Sequence, residues 1–246
     1  MFPLCSFAER KSQGRFAASV RLWSCYADPM CNLYTVRKSA AEVAAHFGAA
    51  TPSNFNTPDE TLPGYPGLVV REAEGRRVVE SMVWGFPLRL KSMKPESKPK
   101  PVNNIADLRK SMWIGLARKP QWRCLIPVTA FAEAEGAKGA KTRTWFSVKG
   151  QPIFAWAGLW RQSEEWGAVY SGTMTDCNEA IRPVHDRMPV LLQPHEYDTW
   201  LRGDFETILS FQDRSFPDEL IEMTRTDELW VRRKPKTGAD APSLLI

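Results

Sequence analysis

Residues 68–84 read LVVREAEGRRVVESMVW, two valine-containing runs on either side of a Glu-Gly pair. Leu68 to Arg71 and Arg77 to Trp84 have the composition of β-strands, and Glu74-Gly75 supplies the turn between them. We therefore predict a β-hairpin at this position. A hairpin of this kind joins two antiparallel neighbours, so it indicates a sheet that is at least partly antiparallel.

Similar short runs continue along the chain, separated by turn signals rather than by long helical patterns. The further predicted strands are Arg123 to Pro127, Phe131 to Ala134, Thr144 to Val148, Ile153 to Leu159, Ala168 to Met174 and Met188 to Leu192.

Helical signals are fewer. A capping box at Ser39 and Glu42 opens one helix, which Gly48 ends, and a second helix is predicted near Leu108 to Ala117. Pro194 and Gly203 bracket a third. This balance predicts an α+β fold: a single domain with a mainly antiparallel, barrel-like β core and a few flanking helices.

The composition excludes several classes of protein. Hydrophobic residues make up 43% of the 246 residues and charged residues 25%, which is typical of a globular chain. No stretch approaches the roughly 20 apolar residues of a membrane helix, and five cysteines without repeated spacing favour neither a disulfide framework nor a zinc site. We expect no membrane, no metal and no cofactor. The net charge of +5 mildly favours a polyanionic partner, although a basic protein without one would look the same.

The first 29 residues differ from the rest of the chain. They contain four basic residues among scattered serines, few acids and no apolar run of signal-peptide length. Two explanations are open: an organellar transit segment, or translation that begins at Met30. We expect residues 1–29 to be a removed or wrongly assigned leader, residues 30–233 to form the domain and residues 234–246 to be a loose tail.

Cys31 follows Met30 directly, and this position has special chemistry if the chain starts there. A small second residue favours removal of the initiator methionine, which would leave Cys31 with a free amine and a thiol. An α-amine has a pKa of about 7.7–8.0, so much of it is unprotonated at neutral pH. It can condense with an aldehyde to an imine, and the thiol can then close a thiazolidine ring. The alternative is a buried strand cysteine with no chemical role.

Two other segments contain candidates for proton transfer. Glu133 ends a nearly uncharged segment, and burial there would raise the pKa of its carboxyl group. His185 stands beside Asp186 and Arg187 where a loop meets a predicted strand. An exposed turn glutamate and a structural histidine are the alternatives. A cysteine, a glutamate and a histidine would also fit a cysteine hydrolase.

These segments occur together in one order. They are Met30-Cys-x-x-Tyr34, Val83-Trp-Gly-Phe86, Pro101-Val-Asn-Asn-Ile105, Arg123-Cys-Leu-Ile-Pro127 with Glu133, and His185-Asp-Arg-Met-Pro-Val190. In this combination the chain resembles, from Met30 to about Leu201, the SOS-response-associated peptidase family of abasic-site processing proteins, which crosslink to DNA. Its Cys-Asn-Leu-Tyr start looks like that of a divergent branch.

The resemblance implies catalytic roles for four residues. Cys31 matches the N-terminal nucleophile of the family, and Asn104, or the adjacent Asn103, matches the asparagine that orients it. Glu133 matches the acid/base glutamate. His185 matches the histidine that helps to open the deoxyribose ring.

The resemblance also implies a DNA-binding surface. Trp84 matches a Trp-Gly turn and is expected to act as a wedge or stacking surface beside the DNA. The remaining expected DNA contacts are Asn103, Lys91, Lys94 and Arg187.

Three positions depart from the family pattern. Leu33 and Ala106 stand where the family has arginines near the phosphates, and Glu60 or a neighbour stands where it often has an asparagine. The basic, proline-rich run from Arg89 to Pro101 offers substitute charges, although such a run is also typical of a solvated loop.

The function implied by the resemblance is recognition of abasic sites in single-stranded DNA, followed by a covalent thiazolidine crosslink through Cys31 in the DNA damage response. Such a protein would act in the cytoplasm, at the nucleoid if it is bacterial. Two alternatives stay open: a cysteine peptidase, including one that only removes its own leader, and a noncatalytic single-stranded DNA sensor.

Overall fold

The computed structural model describes residues 31–50, 58–94 and 96–230. These ranges contain fifteen strands: β1 (Leu33–Thr35), β2 (Glu60–Thr61), β3 (Pro66–Ala73), β4 (Arg76–Trp84), β5 (Phe86–Leu88), β6 (Lys100–Val102), β7 (Asn104–Ile105), β8 (Arg123–Val128), β9 (Ala130–Glu135), β10 (Thr142–Val148), β11 (Phe154–Ser163), β12 (Gly167–Asp176), β13 (Arg187–Pro189), β14 (Leu191–Leu192) and β15 (Ile221–Leu229).

The predicted hairpin is present as β3 and β4. The two strands pair antiparallel from Pro66 opposite Val83 to Ala73 opposite Arg76. Glu74 and Gly75 have φ angles of 52° and 76°, the left-handed conformation that tight hairpin turns require at both central positions.

Five strands close into a barrel in the order β12, β4, β3, β8 and β11, since β11 also pairs with β12. Within this ring β12 and β4 are parallel, whereas the other pairings are antiparallel. Its buried side chains include Trp156, Tyr170 and every residue of β8. The short strand β7 adds to β12 in parallel, so that Asn104 lies opposite Gly172.

A second sheet has the order β15, β10, β9, β1 and β2, and all of its pairings are antiparallel. Strands β5 and β6 form a separate hairpin. The basic run between Leu88 and Lys100 is therefore the loop of that hairpin. Because β1 lies between β2 and β9, the residues just before β1 are held against this sheet.

Four α-helices and three 3-10 turns flank the sheets in the described ranges. They are α1 (Ala40–Phe47), α2 (Ser111–Ala117), α3 (Tyr197–Arg202) and α4 (Phe205–Gln212), with 3-10 turns at Pro120–Trp122, Pro194–Glu196 and Asp218–Leu220. The predicted capping box is confirmed: the Ser39 hydroxyl accepts from the Glu42 N–H, and the Glu42 carboxylate accepts from the Ser39 N–H. Gly48 ends α1 with a φ of 59°.

The predicted α+β class and barrel-like core are confirmed, and every predicted strand is present with somewhat different ends. One predicted strand, Met188 to Leu192, is divided into β13 and β14. The reason is that Val190 lies between two barrel strands: its N–H donates to the Thr173 oxygen of β12, and its oxygen accepts from the Ala157 N–H of β11. The chain therefore leaves its pairing with β12 at this residue and begins to pair with β11.

The short strands β1, β2, β5, β6 and β7 were not predicted, nor were helix α4 and strand β15. Helix α4 follows α3 after a break at Gly203, where Asp204 caps the new helix by accepting from the Thr207 N–H. Strand β15 alternates only weakly and is largely exposed at the edge of its sheet. Edge strands of this kind carry charged residues, which hides the pattern that a sequence search relies on.

In the ranges that the structure describes, no helix combines the length and the apolar character that crossing a bilayer would take. The predicted leader, residues 1–29, and the predicted tail, residues 234–246, lie outside the described residues.

Candidate active site

Cys31 lies two residues before the start of β1 and is completely buried. Strand β1 aligns Leu33 with Ala132 of β9, which brings the residue after Ala132 next to the start of β1. The neighbour is Glu133, and the Cys31 N–H donates to its Oε1 at 2.9 Å. The fold thus joins two candidate residues that are 102 positions apart in the sequence.

Burial governs the protonation of this pair. Glu133 is only 1% exposed. Burial raises the pKa of its carboxyl group to about 8, an effect that the hydrogen bond from Cys31 partly offsets and the nearby negative charge of Asp186 reinforces. Burial and the Glu133 carboxylate likewise raise the pKa of the Cys31 thiol well above its usual value. A carboxyl group with a pKa near neutrality is suited to both donating and accepting protons.

Two asparagines hold the carbonyl group of Cys31. The side-chain amide of Asn104 donates to the Cys31 oxygen at 3.1 Å, and that of Asn103 does so at 3.3 Å. Asn103 also donates to Oδ1 of Asn32 at 3.0 Å. Both asparagines therefore contact Cys31, and Asn103, expected as a DNA contact, is half-buried and belongs to this cluster.

Trp84 does not provide a stacking surface. Its side chain is completely buried, so no face of the ring is open to a base. The expectation of a wedge at this position is wrong, because the Trp84 ring packs edge-on against Tyr34 and Trp156 inside the barrel. Its indole N–H donates to the backbone oxygen of Asn103 at 3.0 Å. Trp84 thus supports the segment that holds Cys31.

His185 lies in the turn before β13, two residues ahead of Arg187, where that strand begins. Its Nδ1 accepts from the Arg187 N–H at 3.0 Å, and its side chain is 15% exposed. The same Nδ1 lies 3.1 Å from a carboxylate oxygen of Asp186, so this side of the ring is engaged within the turn. The negative charge of Asp186 in this turn contributes to the raised pKa of the Glu133 carboxyl group.

Arg187 lines a cavity of about 550 Å³ next to this turn. It donates to the Ala106 oxygen at 3.1 Å and lies 3.4 Å from a carboxylate oxygen of Asp176. Its side chain is one-quarter exposed. Arg109 lines the same cavity. Both arginines therefore line the same cavity as Ala106, and Ala106 is the position at which the family pattern has an arginine.

Lys91 and Lys94 are exposed in the loop between β5 and β6. Arg89 ties one end of this loop down, since it pairs with Glu165 at 2.8 Å and donates to the Ser97 oxygen at 2.9 Å. The side chains of Lys91 and Lys94 are exposed, so their two positive charges are accessible to solvent.

A second cavity, which the sequence did not predict, lies beside Asn32, the residue after Cys31. It has a volume of about 610 Å³, and its walls include Asn32, Asn103, Leu62, Trp230 and Arg143. Arg143 is 5% exposed, although nothing in its strand pattern distinguished it from a solvent-facing residue. Among the described residues, no group of three or more histidine, cysteine or acidic side chains is arranged to hold a metal ion.

The fold is similar to several solved structures. A protein from Bordetella bronchiseptica superimposes with a TM-score of 0.67 at 22% identity, covering 80% of this chain and 99% of that one. A protein from Bacteroides thetaiotaomicron gives a TM-score of 0.67 at 20% identity, with 79% of this chain and 91% of that chain covered. At these identities the likeness shows the fold alone.

Curated relatives match a shorter part of the chain. Abasic site processing protein YoaM of Bacillus subtilis is 33% identical over 87 residues, which cover 32% of this chain and 37% of the relative. Abasic site processing protein YoqW of Bacillus subtilis is 34% identical over 91 residues, 34% of this chain and 41% of the relative. The aligned part is therefore less than half of each relative.

The sequence model of one family extends over most of the chain. It is the model described as SOS response associated peptidase (SRAP), and it matches residues 30–228. The match begins next to Cys31 and includes Asn103, Asn104, Glu133 and His185. The chain belongs to the SOS response associated peptidase family.

Proposed function

We propose that this protein recognises abasic sites in single-stranded DNA and that Cys31, when it is the first residue, captures them as a thiazolidine. The observation that carries the proposal is the cluster around Cys31, in which its nitrogen contacts Glu133 and its carbonyl group accepts from Asn103 and Asn104. The curated relatives supply the substrate class, since each is named an abasic site processing protein.

The chemistry needs only the protein and the damaged DNA. The Cys31 amine attacks the C1′ aldehyde of the ring-opened deoxyribose, and loss of one water gives an imine. The thiol sulfur then adds to the imine carbon, while the thiol proton passes to the nitrogen. One C–N bond and one C–S bond form, and the net loss is one water. No oxidant or reductant takes part.

Glu133 carries protons in this scheme. With a pKa of about 8, most of its carboxyl groups are protonated at pH 7, and a fraction is ionised. The ionised form takes a proton from the attacking amine, and the neutral form donates one to the departing hydroxyl group. Such transfers typically accelerate a reaction by about 10²–10⁴-fold.

His185 acts on the sugar before capture. An abasic deoxyribose is mainly a closed hemiacetal, which has no free aldehyde. Nδ1 of His185 faces the Arg187 N–H and the Asp186 carboxylate, which leaves Nε2 as the atom that contacts the sugar in this scheme. As the bond between C1′ and the ring oxygen breaks, the proton of the C1′ hydroxyl group passes to the ring oxygen, and the imidazole of His185 assists this transfer. Arg187, Lys91 and Lys94 hold phosphates nearby.

The proposal is tested with two versions of the protein, one starting at Met30 and the full 246-residue chain. Each is mixed with single-stranded DNA containing an abasic site, and intact mass is measured. We expect the shorter version to lose its methionine and to gain the mass of the strand minus one water. The full chain should not react unless it is trimmed, because an acylated nitrogen cannot form an imine.

Efficient capture by an untrimmed full chain, verified by mass, would contradict the role of the Cys31 amine. The same samples separate the alternatives. Hydrolysis of casein without capture would indicate a peptidase, and strand binding without capture would indicate a noncatalytic sensor.

A further inference from the structure

Asn103 and Asn104 hold the Cys31 carbonyl group from two consecutive positions. A single peptide group joins these two residues, and its oxygen is the carbonyl oxygen of Asn103. Because a peptide group is planar and rigid, its orientation sets where both Cα atoms lie and the directions in which the two side chains start. The contacts of this one oxygen therefore affect both donors to Cys31.

Two N–H groups hold that oxygen in place. The backbone N–H of Gly172 in β12 donates to it at 3.0 Å, and the indole N–H of Trp84 also donates to it at 3.0 Å. A carbonyl oxygen has two lone pairs, so two donors satisfy it and restrict rotation of the peptide group. One residue earlier, the Ser171 hydroxyl group donates to the Val102 oxygen. The segment is thus bound to the barrel by its carbonyl groups.

Trp84 also contacts the strand that follows Cys31. Its ring packs edge-on against Tyr34 of β1, with the ring centroids 5.0 Å apart. Edge-to-face contact is a preferred geometry for two aromatic rings, so it fixes their relative orientation. Both side chains are completely buried. One buried side chain therefore contacts the two segments that meet at Cys31, the asparagine pair and β1.

Trp200 shows what a tryptophan of the same burial does elsewhere in the fold. It is also completely buried, and its indole N–H also donates at 3.0 Å to a backbone oxygen, that of Cys124 in β8. A buried indole N–H usually has an acceptor, so the hydrogen bond by itself indicates no role in a reaction. What distinguishes Trp84 is the oxygen that it contacts.

We propose that Trp84 is a positioning residue for capture: through its indole N–H it fixes the peptide group between Asn103 and Asn104 and thereby sets the rate at which Cys31 reacts. The inference rests on the proposed function for the reaction that is measured. It assigns a role in that reaction to a side chain that touches none of the reacting atoms, which the capture chemistry by itself does not require.

The first test uses Trp84→Phe, which keeps an aromatic ring and removes the N–H. We expect the variant to fold, because the Gly172 N–H still pairs with the Asn103 oxygen. In the version that starts at Met30, the first-order rate of capture at saturating abasic DNA should fall about 10-fold, since small displacements of positioned groups slow reactions strongly. Affinity for a strand with a tetrahydrofuran abasic analogue, which has no aldehyde, should change by less than about 2-fold.

Trp200→Phe is the matched control, because it removes an equally buried indole N–H that donates to an oxygen outside the asparagine pair. It should keep the wild-type rate of capture. Near-ultraviolet circular dichroism and urea unfolding compare the fold and the stability of the two variants. A rate that falls only in Trp84→Phe follows from its contact with Asn103 rather than from the loss of a buried tryptophan.

A background without the two asparagine side chains separates positioning from packing. In the variant with both Asn103→Ala and Asn104→Ala, adding Trp84→Phe should change the already slower rate by less than about 2-fold, because the donors that Trp84 positions are gone. If Trp84 acted only through packing of the barrel, its substitution would have the same effect in this background as in the wild-type protein.

A second readout does not depend on capture. In the full chain with isotope-labelled asparagine, nuclear magnetic resonance measures hydrogen exchange of the side-chain amides of Asn103 and Asn104. Exchange reports local opening of the hydrogen bonds that these groups make. We expect it to be faster in Trp84→Phe than in the wild-type protein and unchanged in Trp200→Phe.

Capture by Trp84→Phe at the rate of Trp200→Phe would overturn the inference and leave the proposed capture intact. An undiminished effect of Trp84→Phe in the background without the asparagine side chains would also overturn it. If the wild-type protein captures no abasic DNA, the proposed function fails and exchange decides the inference. Faster exchange in Trp84→Phe alone would then support the positioning contact, and equal exchange in both tryptophan variants would overturn it.

Discussion

The carboxyl group of Glu133 lies where its charged form is unfavourable. A buried carboxylate loses its hydration, and a single N–H from Cys31 compensates only in part. The Cys31 thiol is buried beside it and has a raised pKa for the same reason. At the scale of single residues, the site therefore keeps both groups largely protonated until a substrate enters.

This burial predicts a dependence of stability on pH. The folded pKa of about 8 lies above the value of 4.5 for a free glutamate, so between these values the folded state holds a proton that the unfolded state has lost. The free energy of unfolding should fall as the pH rises through this window, by up to about 1.4 kcal/mol per pH unit. Glu133→Gln should remove this slope. Urea unfolding at pH 5 and pH 8 measures it.

Glu135→Gln is the matched control for that comparison. Glu135 belongs to the same strand, but hydrogen bonds from Arg225 and Thr144 lower the pKa of its carboxyl group. Its contribution has the opposite sign, present at neutral pH and lost as the pH falls. A wild-type protein that is equally stable at pH 5 and pH 8, with no change in Glu133→Gln, would contradict the raised pKa.

Cys31 combines two functional groups that a substitution can separate. In a protein that starts at this residue, Cys31→Ala keeps the amine and loses the thiol. We expect it to form no stable thiazolidine but to give an imine with abasic DNA that borohydride traps. Cys124→Ala is the control, since Cys124 is buried in β8 and should not affect capture. A stable adduct formed by Cys31→Ala without reductant would show that the sulfur is not needed.

At the scale of secondary-structure elements, one buried arginine joins the helices to the barrel. Arg123 opens β8 and is 1% exposed. It donates to the carbonyl oxygens of Ala117 at the end of α2 and of Trp200 and Gly203 at the end of α3. Burial lowers its pKa to about 10, which still leaves it charged at neutral pH. The negative ends of two helices therefore face one cation.

Arg123→Ala should destabilise the protein by about 3 kcal/mol or more, because it removes charge-assisted hydrogen bonds and leaves buried carbonyl oxygens without a donor. Arg118→Ala is the control: Arg118 is exposed at the end of α2 and should contribute about 0.5–1 kcal/mol through its position over the Phe205 ring. Chemical denaturation of both variants gives the comparison. A loss below about 1 kcal/mol for Arg123→Ala would mean that packing alone holds the helices.

At the scale of the whole molecule, the net charge is +5, and the basic side chains differ in whether they are paired with carboxylates. Arg71, Arg77, Arg143 and Arg202 are each engaged with carboxylates. The lysines of the loop between β5 and β6 are exposed instead. This loop precedes the strand that leads to Asn103 and Asn104, so under the proposed function its lysines are the charges expected to contact DNA phosphates near the site.

Changing Lys91, Lys94, Lys98 and Lys100 together to glutamine should weaken binding of single-stranded DNA. It should also flatten the dependence of log affinity on log salt, whose slope is about −0.7 for each neutralised phosphate. Anisotropy at several salt concentrations measures both, using Cys31→Ala to prevent capture. A control with the same net charge changes four exposed cations elsewhere: Lys110, Lys119, Lys149 and Arg118. An equal slope in both variants would mean that the loop has no specific role.

Local patterns in the sequence predicted much of the fold. The Glu-Gly turn, the capping box of α1 and the apolar runs of the longer strands depend on residues only a few positions apart, and the elements they predict are present. Strand β15 and the break at Val190 were not predictable in this way. The former is a charged edge, and the latter exists only because two barrel strands on either side accept the same segment.

The sequence by itself determined the α+β class, the order of the family motifs and the candidate residues Cys31, Glu133 and His185. Only the tertiary structure decided which of them meet. The pairing of β1 with β9 brings Cys31 to Glu133 across 102 positions, and no local signal encodes that contact. Burial was likewise decided by the closed barrel, which encloses Trp84 and leaves it no role in stacking on DNA. The physical reason is that propensity depends on neighbours along the chain, whereas solvation and proton affinity depend on neighbours in space.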